Sequence, residues 1–267
     1  MNKTTLSYQE IGPTNASAVV FLHGFMGQAS SFLPLMEGLS DSFRCISFDL
    51  PGHGASLFSS SLRLQHLGGL EDTAALLLED LARLDIRRFS LFGYSMGGRV
   101  AQHVALVSPG SIHKLFLESA SFGIADLSER KNRRIRDQAL LANIHSPEDF
   151  RKFLQNWYRQ PLFQTLSETD HLPGLILEKI HHPVEEYRRA LNLLGVGHQA
   201  FLAGLLSEAN VSIHYFCGEQ DKAYHQAGLD IQAWIPGITL EVFKNASHNI
   251  HIQYPQEILR TIWKYLI

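Results

Sequence analysis

Phe89-Ser90-Leu91-Phe92-Gly93-Tyr94-Ser95-Met96-Gly97-Gly98-Arg99-Val100 is the stretch on which the fold turns. Four residues of strand character lead into Gly93-x-Ser95-x-Gly97. The residues that follow carry Val100, Val104 and Val107 at helical spacing and stop at Pro109-Gly110. A bare G-x-S-x-G is a weak signal, because Gly and Ser are common. A strand before it and a helix after it are the context that a nucleophile elbow requires. The glycines let strand and helix approach around a strained serine, and the helix N-terminus aims its free N–H groups and positive dipole end at that site. The plainer alternative is a glycine-rich turn with an incidental serine.

Apolar runs of the same kind recur on both sides. Val19-Val20-Phe21-Leu22 ends at His23-Gly24, and Cys45-Ile46-Ser47-Phe48 ends at Asp49 and the turn Pro51-Gly52-His53-Gly54. Lys114-Leu115-Phe116-Leu117, Ile213-His214-Tyr215-Phe216-Cys217 and Leu240-Glu241-Val242-Phe243 follow. Near-continuous runs suit strands buried on both faces, as in a parallel sheet. Between them, Ala74, Leu77, Leu78, Leu81 and Leu84 mark one face of a helix, with Glu79, Asp80 and Arg83 on the other. The alternation predicts an α/β fold, with a mostly parallel central sheet and helices on both faces. The interval 123–206 breaks the rhythm. It holds no convincing strand, a basic run, the aromatic pair Trp157-Tyr158 and four prolines, Pro147, Pro161, Pro173 and Pro183. It predicts an inserted helical lid over 123–206, in a core made of 1–122 and 207–267. A string of ordinary main-domain helices is the alternative.

Composition excludes several classes of function. A chain of 267 residues, 45% hydrophobic and 18% charged, buries a core without disulfides or metals, so collagen, coiled coil and wholesale disorder are out. Against 26 acidic residues stand 23 basic ones, a net charge of -3, so no global positive field attracts nucleic acid or anionic lipid. Cys45 and Cys217 lie in separate apolar segments without framework spacing, which points to a reducing compartment. Met1-Asn2-Lys3-Thr4-Thr5-Leu6-Ser7-Tyr8 lacks the apolar run of a signal peptide. Leu76-Leu77-Leu78 sits among Glu71, Asp72, Glu79 and Asp80 and is no membrane span. A cytoplasmic protein without membrane insertion is expected.

A serine hydroxyl needs a neighbouring imidazole to take its proton. His248, in Asn245-Ala246-Ser247-His248-Asn249, is late in the chain, in a polar small-residue loop after the last strand. His251 competes, but falls inside the following segment, where a structural role fits better. The imidazole needs a carboxylate to fix its tautomer. Asp221, in Gly218-Glu219-Gln220-Asp221, lies just past a strand; Glu219 and Asp230 compete. The chain order Ser95, Asp221, His248 is the order this elbow architecture uses. An oxyanion hole needs two backbone N–H groups. Met96 follows the serine directly, and Phe25 lies in the loop Leu22-His23-Gly24-Phe25-Met26-Gly27, where glycines permit close approach. His23 is expected to hold that loop rather than to act as a base.

Together, His23-Gly24-Phe25, Asp49-Leu50-Pro51-Gly52-His53-Gly54-Ala55-Ser56, Gly93-Tyr94-Ser95-Met96-Gly97-Gly98-Arg99, Gly218-Glu219-Gln220-Asp221 and Ser247-His248 resemble the α/β-hydrolase superfamily across most of the core. More narrowly, Glu129-Arg130 through Arg133 to Asp137, Trp157-Tyr158-Arg159-Gln160-Pro161-Leu162-Phe163 and Leu194-Gly195-Val196-Gly197-His198-Gln199 look like the 2-succinyl-6-hydroxy-2,4-cyclohexadiene-1-carboxylate synthase family of menaquinone biosynthesis. The resemblance implies a lyase. Ser95, activated by His248, removes a ring proton, and the backbone N–H pair holds the charge developing on a succinyl carbonyl. The enolpyruvyl group leaves as pyruvate, with no metal or organic cofactor. It further implies a small-molecule polycarboxylate substrate, with Arg133 as its clamp and Tyr94 and Trp157 as pocket-lining aromatics. Five cations crowd the run from Glu129 to Asp137, most of them fitting a solvated helix face. Where the family carries a second arginine late in the lid, this chain has Glu178-Lys179, and Lys179 is the cation that can substitute.

Two other readings stay open on sequence: a hydrolase of esters or carbon–carbon bonds on the same triad, and a small-molecule receptor on the same fold. Metal hydrolysis is disfavoured, since no H-E-x-x-H occurs and His181-His182 are adjacent.

Overall fold

Among the described residues, seven strands form one sheet in the order β1-β3-β2-β4-β5-β6-β7. They are β1 (Tyr8–Ile11), β2 (Ala18–Leu22), β3 (Arg44–Phe48), β4 (Phe89–Tyr94), β5 (Ile112–Glu118), β6 (Ile213–Gly218) and β7 (Thr239–Phe243). The pairing is parallel throughout except between β1 and β3. This is a computed structural model, and it describes residues 4–163, 166 and 171–267. Residues 1–3 of the N-terminal stretch, and 164, 165 and 167–170 within the interval 123–206, lie outside the described residues.

The apolar runs form strands because both faces of the sheet are covered. In β2 every residue is buried, and successive side chains enter different cores. Val20 and Leu22 pack on one side with Leu91 and Leu117, while Val19 and Phe21 pack on the other with Phe92 and Phe116. The first face is covered by α3 (Leu70–Arg83) and α4 (Met96–Val107), after α1 (Leu33–Leu39) and the short α2 (Leu62–Gln65). The second carries α1 and the last helix of the chain. β1 is the strand that sequence reading missed. Tyr8-Gln9-Glu10-Ile11 has no apolar run, because it is a half-exposed edge strand paired antiparallel to β3.

Between β5 and β6 the described residues form helices, turns and one isolated bridge from Ile124 to Ala200. The helices are α5 (Leu127–Leu140), α6 (Pro147–Tyr158), α7 (His171–Lys179), α8 (Val184–Leu194) and α9 (Ala203–Glu208). Asp126 caps α5 by accepting from Glu129 N, and Ser146 caps α6 by accepting from Asp149 N, with Pro147 at the first helical position. The insert has its own apolar cluster, including Phe150, Leu154, Tyr158, Phe163 and Tyr187, which takes in Met26 from the loop after β2. Ala190, Leu191 and Leu194 of α8 and Ala203 and Leu206 of α9 instead join the main core. The chain closes with α10 (Lys222–Ile231), α11 (Ile250–Gln253) and α12 (Pro255–Leu266). Among the described residues no helix is long and apolar enough to cross a membrane.

The α/β-hydrolase fold expected from the sequence is therefore present. Its parallel strands β2, β4, β6 and β7 all release their following loops at one edge of the sheet, the edge where open α/β sheets hold their ligands.

Candidate active site

Ser95 stands between β4 and α4 with φ of +49° and ψ of −105°. A residue with a Cβ pays about 1–3 kcal/mol for such a conformation and keeps it only where its surroundings over-determine it. They do so here. A Cβ on Gly93 would lie 2.6 Å from Gly98 Cα, and one on Gly97 would overlap the Leu22 carbonyl. Ser95 N donates to Glu118 O at 2.9 Å, tying the turn to β5.

The loops after β6 and β7 bring two more side chains to the serine. His248 Nε2 lies 3.2 Å from Ser95 Oγ, and His248 Nδ1 lies 2.6 Å from Asp221 Oδ2. Asp221 also caps α10, accepting from Tyr224 N. His248 and Asp221 are both buried. A carboxylate at Nδ1 fixes the Nδ1–H tautomer, which leaves the Nε2 lone pair facing the serine hydroxyl. The competing residues are engaged elsewhere. Glu219 accepts from Asn245 N, Asp230 accepts from Gln226, and His251 meets Glu118.

The loop after β2 passes directly beneath this group. Gly24 is so close that a Cβ there would lie 2.5 Å from the Tyr94 ring and 3.4 Å from Ser95 Cβ. Two imidazoles hold the loop. His23 Nε2 accepts from Leu50 N at 2.9 Å while its Nδ1 donates to Gly24 O at 2.7 Å. His53 Nε2 accepts from Met26 N at 3.1 Å while its Nδ1 donates to Pro51 O at 3.0 Å. Burial pushes His23 down to about 4 and His53 well below the ordinary histidine value, so both rings stay neutral acceptors.

One cavity joins these parts. Its wall contains Phe25, Tyr94, Ser95, Met96, Arg133, Trp157, Lys179 and His248, with Asp221 behind His248. The structure thus gathers around one space the residues expected for the triad, the oxyanion hole and the substrate pocket, and leaves the competitors Glu219 and Asp230 outside it. Arg133 Nε donates to Asp137 Oδ1, one helical turn on, at 2.7 Å. Lys179 is buried, with Nζ 2.8 Å from Glu178 Oε1. Trp157 meets the Phe25 ring edge-on at 6.1 Å, joining the insert to the loop after β2.

Arg99 is the cavity residue that sequence reasoning missed. It sits in the first turn of α4, is buried, and donates from Nη2 to Leu194 O at 2.7 Å. Burial pushes it down to about 10, which leaves it charged at neutral pH. The available signal was an arginine in an apolar helix turn just after the elbow. Among the described residues, the cavity wall therefore carries three cations, Arg99, Arg133 and Lys179, against one carboxylate, Asp137. Guanidinium groups match carboxylates bidentately, so the space suits an anionic ligand. Chemically, the arrangement can move a proton between Ser95 Oγ and His248 Nε2 beside that ligand.

Residues 19–261 match the alpha/beta hydrolase family. The 2-succinyl-6-hydroxy-2,4-cyclohexadiene-1-carboxylate synthase of Escherichia coli O1:K1 / APEC is 28% identical over 244 residues, 91% of this chain and 91% of that protein. The protein PHYLLO, chloroplastic, of Arabidopsis thaliana is 28% identical over 94% of this chain, but the chain spans only 15% of its length. Among solved structures, MenH from S. aureus superimposes with a TM-score of 0.87 at 28% identity, covering 97% of both chains.

Proposed function

The chain belongs to the alpha/beta hydrolase family, and from that premise we propose that it is a carbon–oxygen lyase of menaquinone biosynthesis. In this reading it releases pyruvate from an enolpyruvyl-bearing succinyl-cyclohexene carboxylate and leaves 2-succinyl-6-hydroxy-2,4-cyclohexadiene-1-carboxylate. The name of the E. coli relative supports the reaction, and the superposition with MenH from S. aureus supports the fold that would carry it. One observation carries the reading to this chain: the Ser95–His248–Asp221 contacts open into the same cavity as Arg99, Arg133 and Lys179.

The proposed steps follow from the contacts. His248 Nε2 accepts the Ser95 proton while Asp221 orients the ring and stabilises its charged form. Ser95 Oγ takes the ring proton next to the succinyl carbonyl. The C–H pair moves into the ring as the bond to the enolpyruvyl oxygen breaks. Charge on the carbonyl oxygen is held by the N–H groups of Phe25 and Met96. The departing enolate takes a proton on carbon and becomes pyruvate. Arg133, Arg99 and Lys179 hold the carboxylates, and Tyr94 and Trp157 wall the ring. Proton acceptor, orienting carboxylate and oxyanion donors are all groups of the chain, so these steps call on no metal or organic cofactor. The helices of the interval 123–206 act as a lid that keeps water from the reacting centre.

Pyruvate release from the enolpyruvyl-bearing substrate, coupled to a reporter and run beside a p-nitrophenyl ester series, tests the proposal. Fast pyruvate release with slow ester turnover is expected, and Ser95→Ala should abolish the release. Fast ester turnover through an acyl adduct on Ser95, without pyruvate, would make the protein a hydrolase instead.

A further inference from the structure

Ser95 and His248 hang from β4 and β7, which the sheet order separates by two strands, β5 and β6. Nothing in that topology sets the distance between them to within hydrogen-bonding reach. Glu118, the last residue of β5 and the ladder partner of Tyr94, touches both loops. Its main-chain carbonyl accepts from Ser95 N at 2.9 Å. Its carboxylate accepts from His251 N at 3.1 Å, and both of its oxygens lie 2.9 Å from His251 Nδ1.

His251 lies three positions beyond His248, in α11. The other end of this segment is closed as well, because Ser247 N donates to Gln253 Oε1 at 2.9 Å. The Tyr94 ring is wedged between the two imidazoles, 5.3 Å from His248 and 4.7 Å from His251, and Phe32 backs His251 at 4.9 Å. Glu118 and His251 are both buried, at 0% and 4% exposure. An ionisable side chain in such a place costs several kcal/mol unless it is fully paired, and apolar residues of similar volume pack a core more cheaply. Hydrophobic packing therefore does not account for this pair.

We propose that Glu118 and His251 are positioning residues: a strut from β5 that holds the His248 loop at the distance from Ser95 that proton transfer needs. Its contribution is reach. The carboxylate must extend from the strand end to the first turn of α11, and the Tyr94 ring filling the gap keeps the spacing from collapsing. A displacement of about 1 Å at a reacting pair can cost about 100-fold in rate, so a strut of this length belongs to the catalytic geometry. The inference rests on the proposed pairing of Ser95 with His248, and not on the identity of the substrate.

Two substitutions separate reach from charge. Glu118→Gln keeps the reach and an acceptor oxygen but loses the charge; Glu118→Asp keeps the charge and draws the carboxylate back by one methylene. The readout is the first-order rate at which a fluorophosphonate labels Ser95, followed by intact mass. In that reaction the Oγ–P bond forms, the P–F bond breaks and His248 takes the proton, so the rate reports the Ser95–His248 alignment without calling on the substrate or the carboxylate-binding cations. The folded fraction of each variant, read from its urea curve, normalises the rate, so a loss through partial unfolding is separated from a loss of alignment. Glu118→Gln should label at close to the wild-type rate, and Glu118→Asp about 100-fold more slowly, with KM for pyruvate release unchanged in both. Wild-type labelling by Glu118→Asp, or labelling by Glu118→Gln as slow as that of Glu118→Asp, overturns the strut. Slow labelling of Glu118→Asp beside a wild-type protein that labels but releases no pyruvate leaves the strut standing and removes the lyase reading. Pyruvate release with normal labelling of Glu118→Asp does the opposite.

Discussion

A guanidinium recognises a carboxylate only as well as it is held, and Arg133 is held. Asp137 Oδ1 takes its Nε–H from the next turn of α5, which fixes the plane of the group at the cavity wall. Its neighbours differ. Lys131 is exposed, and Arg134 is spent on Gly197 O at 3.3 Å. Arg133→Ala should lower kcat/KM for the carboxylated substrate about 30-fold, the equivalent of about 2 kcal/mol for one charge-assisted contact. Lys131→Ala and Arg134→Ala should leave it close to wild type. Steady-state kinetics at two salt concentrations decides the matter, because equal, salt-sensitive losses in all three would mean diffuse steering instead of a clamp. The residues at strand ends were legible in the sequence because the chemistry demands them there. Ser95, Asp221 and His248 each follow an apolar run, in the order that the architecture uses. Arg99 was not legible. In sequence it opens an apolar helix and looks like a solvated end; only the packing of the Leu194 carbonyl against it makes it a buried cavity cation.

The elbow is set by how closely two elements meet. The first turn of α4 lies against the end of β2, where a Cβ on Gly97 would overlap the Leu22 carbonyl and reach 2.6 Å from His23 O. These obstacles are main-chain atoms and cannot rotate away. Gly97→Ala should therefore destabilise at or above the upper end of the range of about 1–3 kcal/mol for an overpacked core. A lowered urea midpoint and slowed fluorophosphonate labelling of Ser95 should appear together. A variant with the wild-type midpoint would show that helix and strand are not in contact there. At this scale the sequence shows six of the seven strands among the described residues: β2 to β6 because parallel strands covered on both faces are largely apolar, and the partly exposed edge strand β7 because Leu240, Val242 and Phe243 still make an apolar run. β1 escapes for the opposite reason: an antiparallel edge strand satisfies its main chain on β3 while none of its side chains is fully buried and Gln9 faces water. The prolines that mark the insert as irregular turn out to start elements. Pro147 opens α6, Pro161 opens a 3-10 turn, Pro173 lies in the first turn of α7 and Pro183 caps α8. A proline there gives up an N–H that has no helical partner anyway. That is why a run that reads as broken in sequence folds as successive helices.

Across the whole molecule, histidines link the fold to pH. His23, His53, His103, His182, His198 and His214 are all held below the ordinary histidine value, in each case chiefly by burial. Two of them brace the loop that carries Phe25, and they do so as acceptors through Nε2. Protonation there would remove the lone pair that holds Leu50 N or Met26 N. His23 sets the scale. Its folded value is about 4 against 6.5 for a free side chain. Above 6.5 both folded and unfolded chains carry it neutral, and its contribution to stability is complete. Between 6.5 and 4 the unfolded chain takes up a proton that the folded chain refuses. Stability is therefore lost as pH falls, by about 1.4 kcal/mol per unit from this residue alone. The other five are shifted in the same direction, so each acts with the same sign below 6.5. Against a total of about 5–15 kcal/mol for a domain, that slope is large. The urea midpoint should be level above about pH 6.5 and fall continuously toward pH 4.5, with m unchanged. His23→Gln should be less stable at neutral pH, since it loses the brace, yet show a shallower fall, since one titration is gone. A midpoint that stays level from about pH 7.5 to 4.5, or an unchanged slope in His23→Gln, would mean that these rings are not the neutral acceptors on which the loop rests.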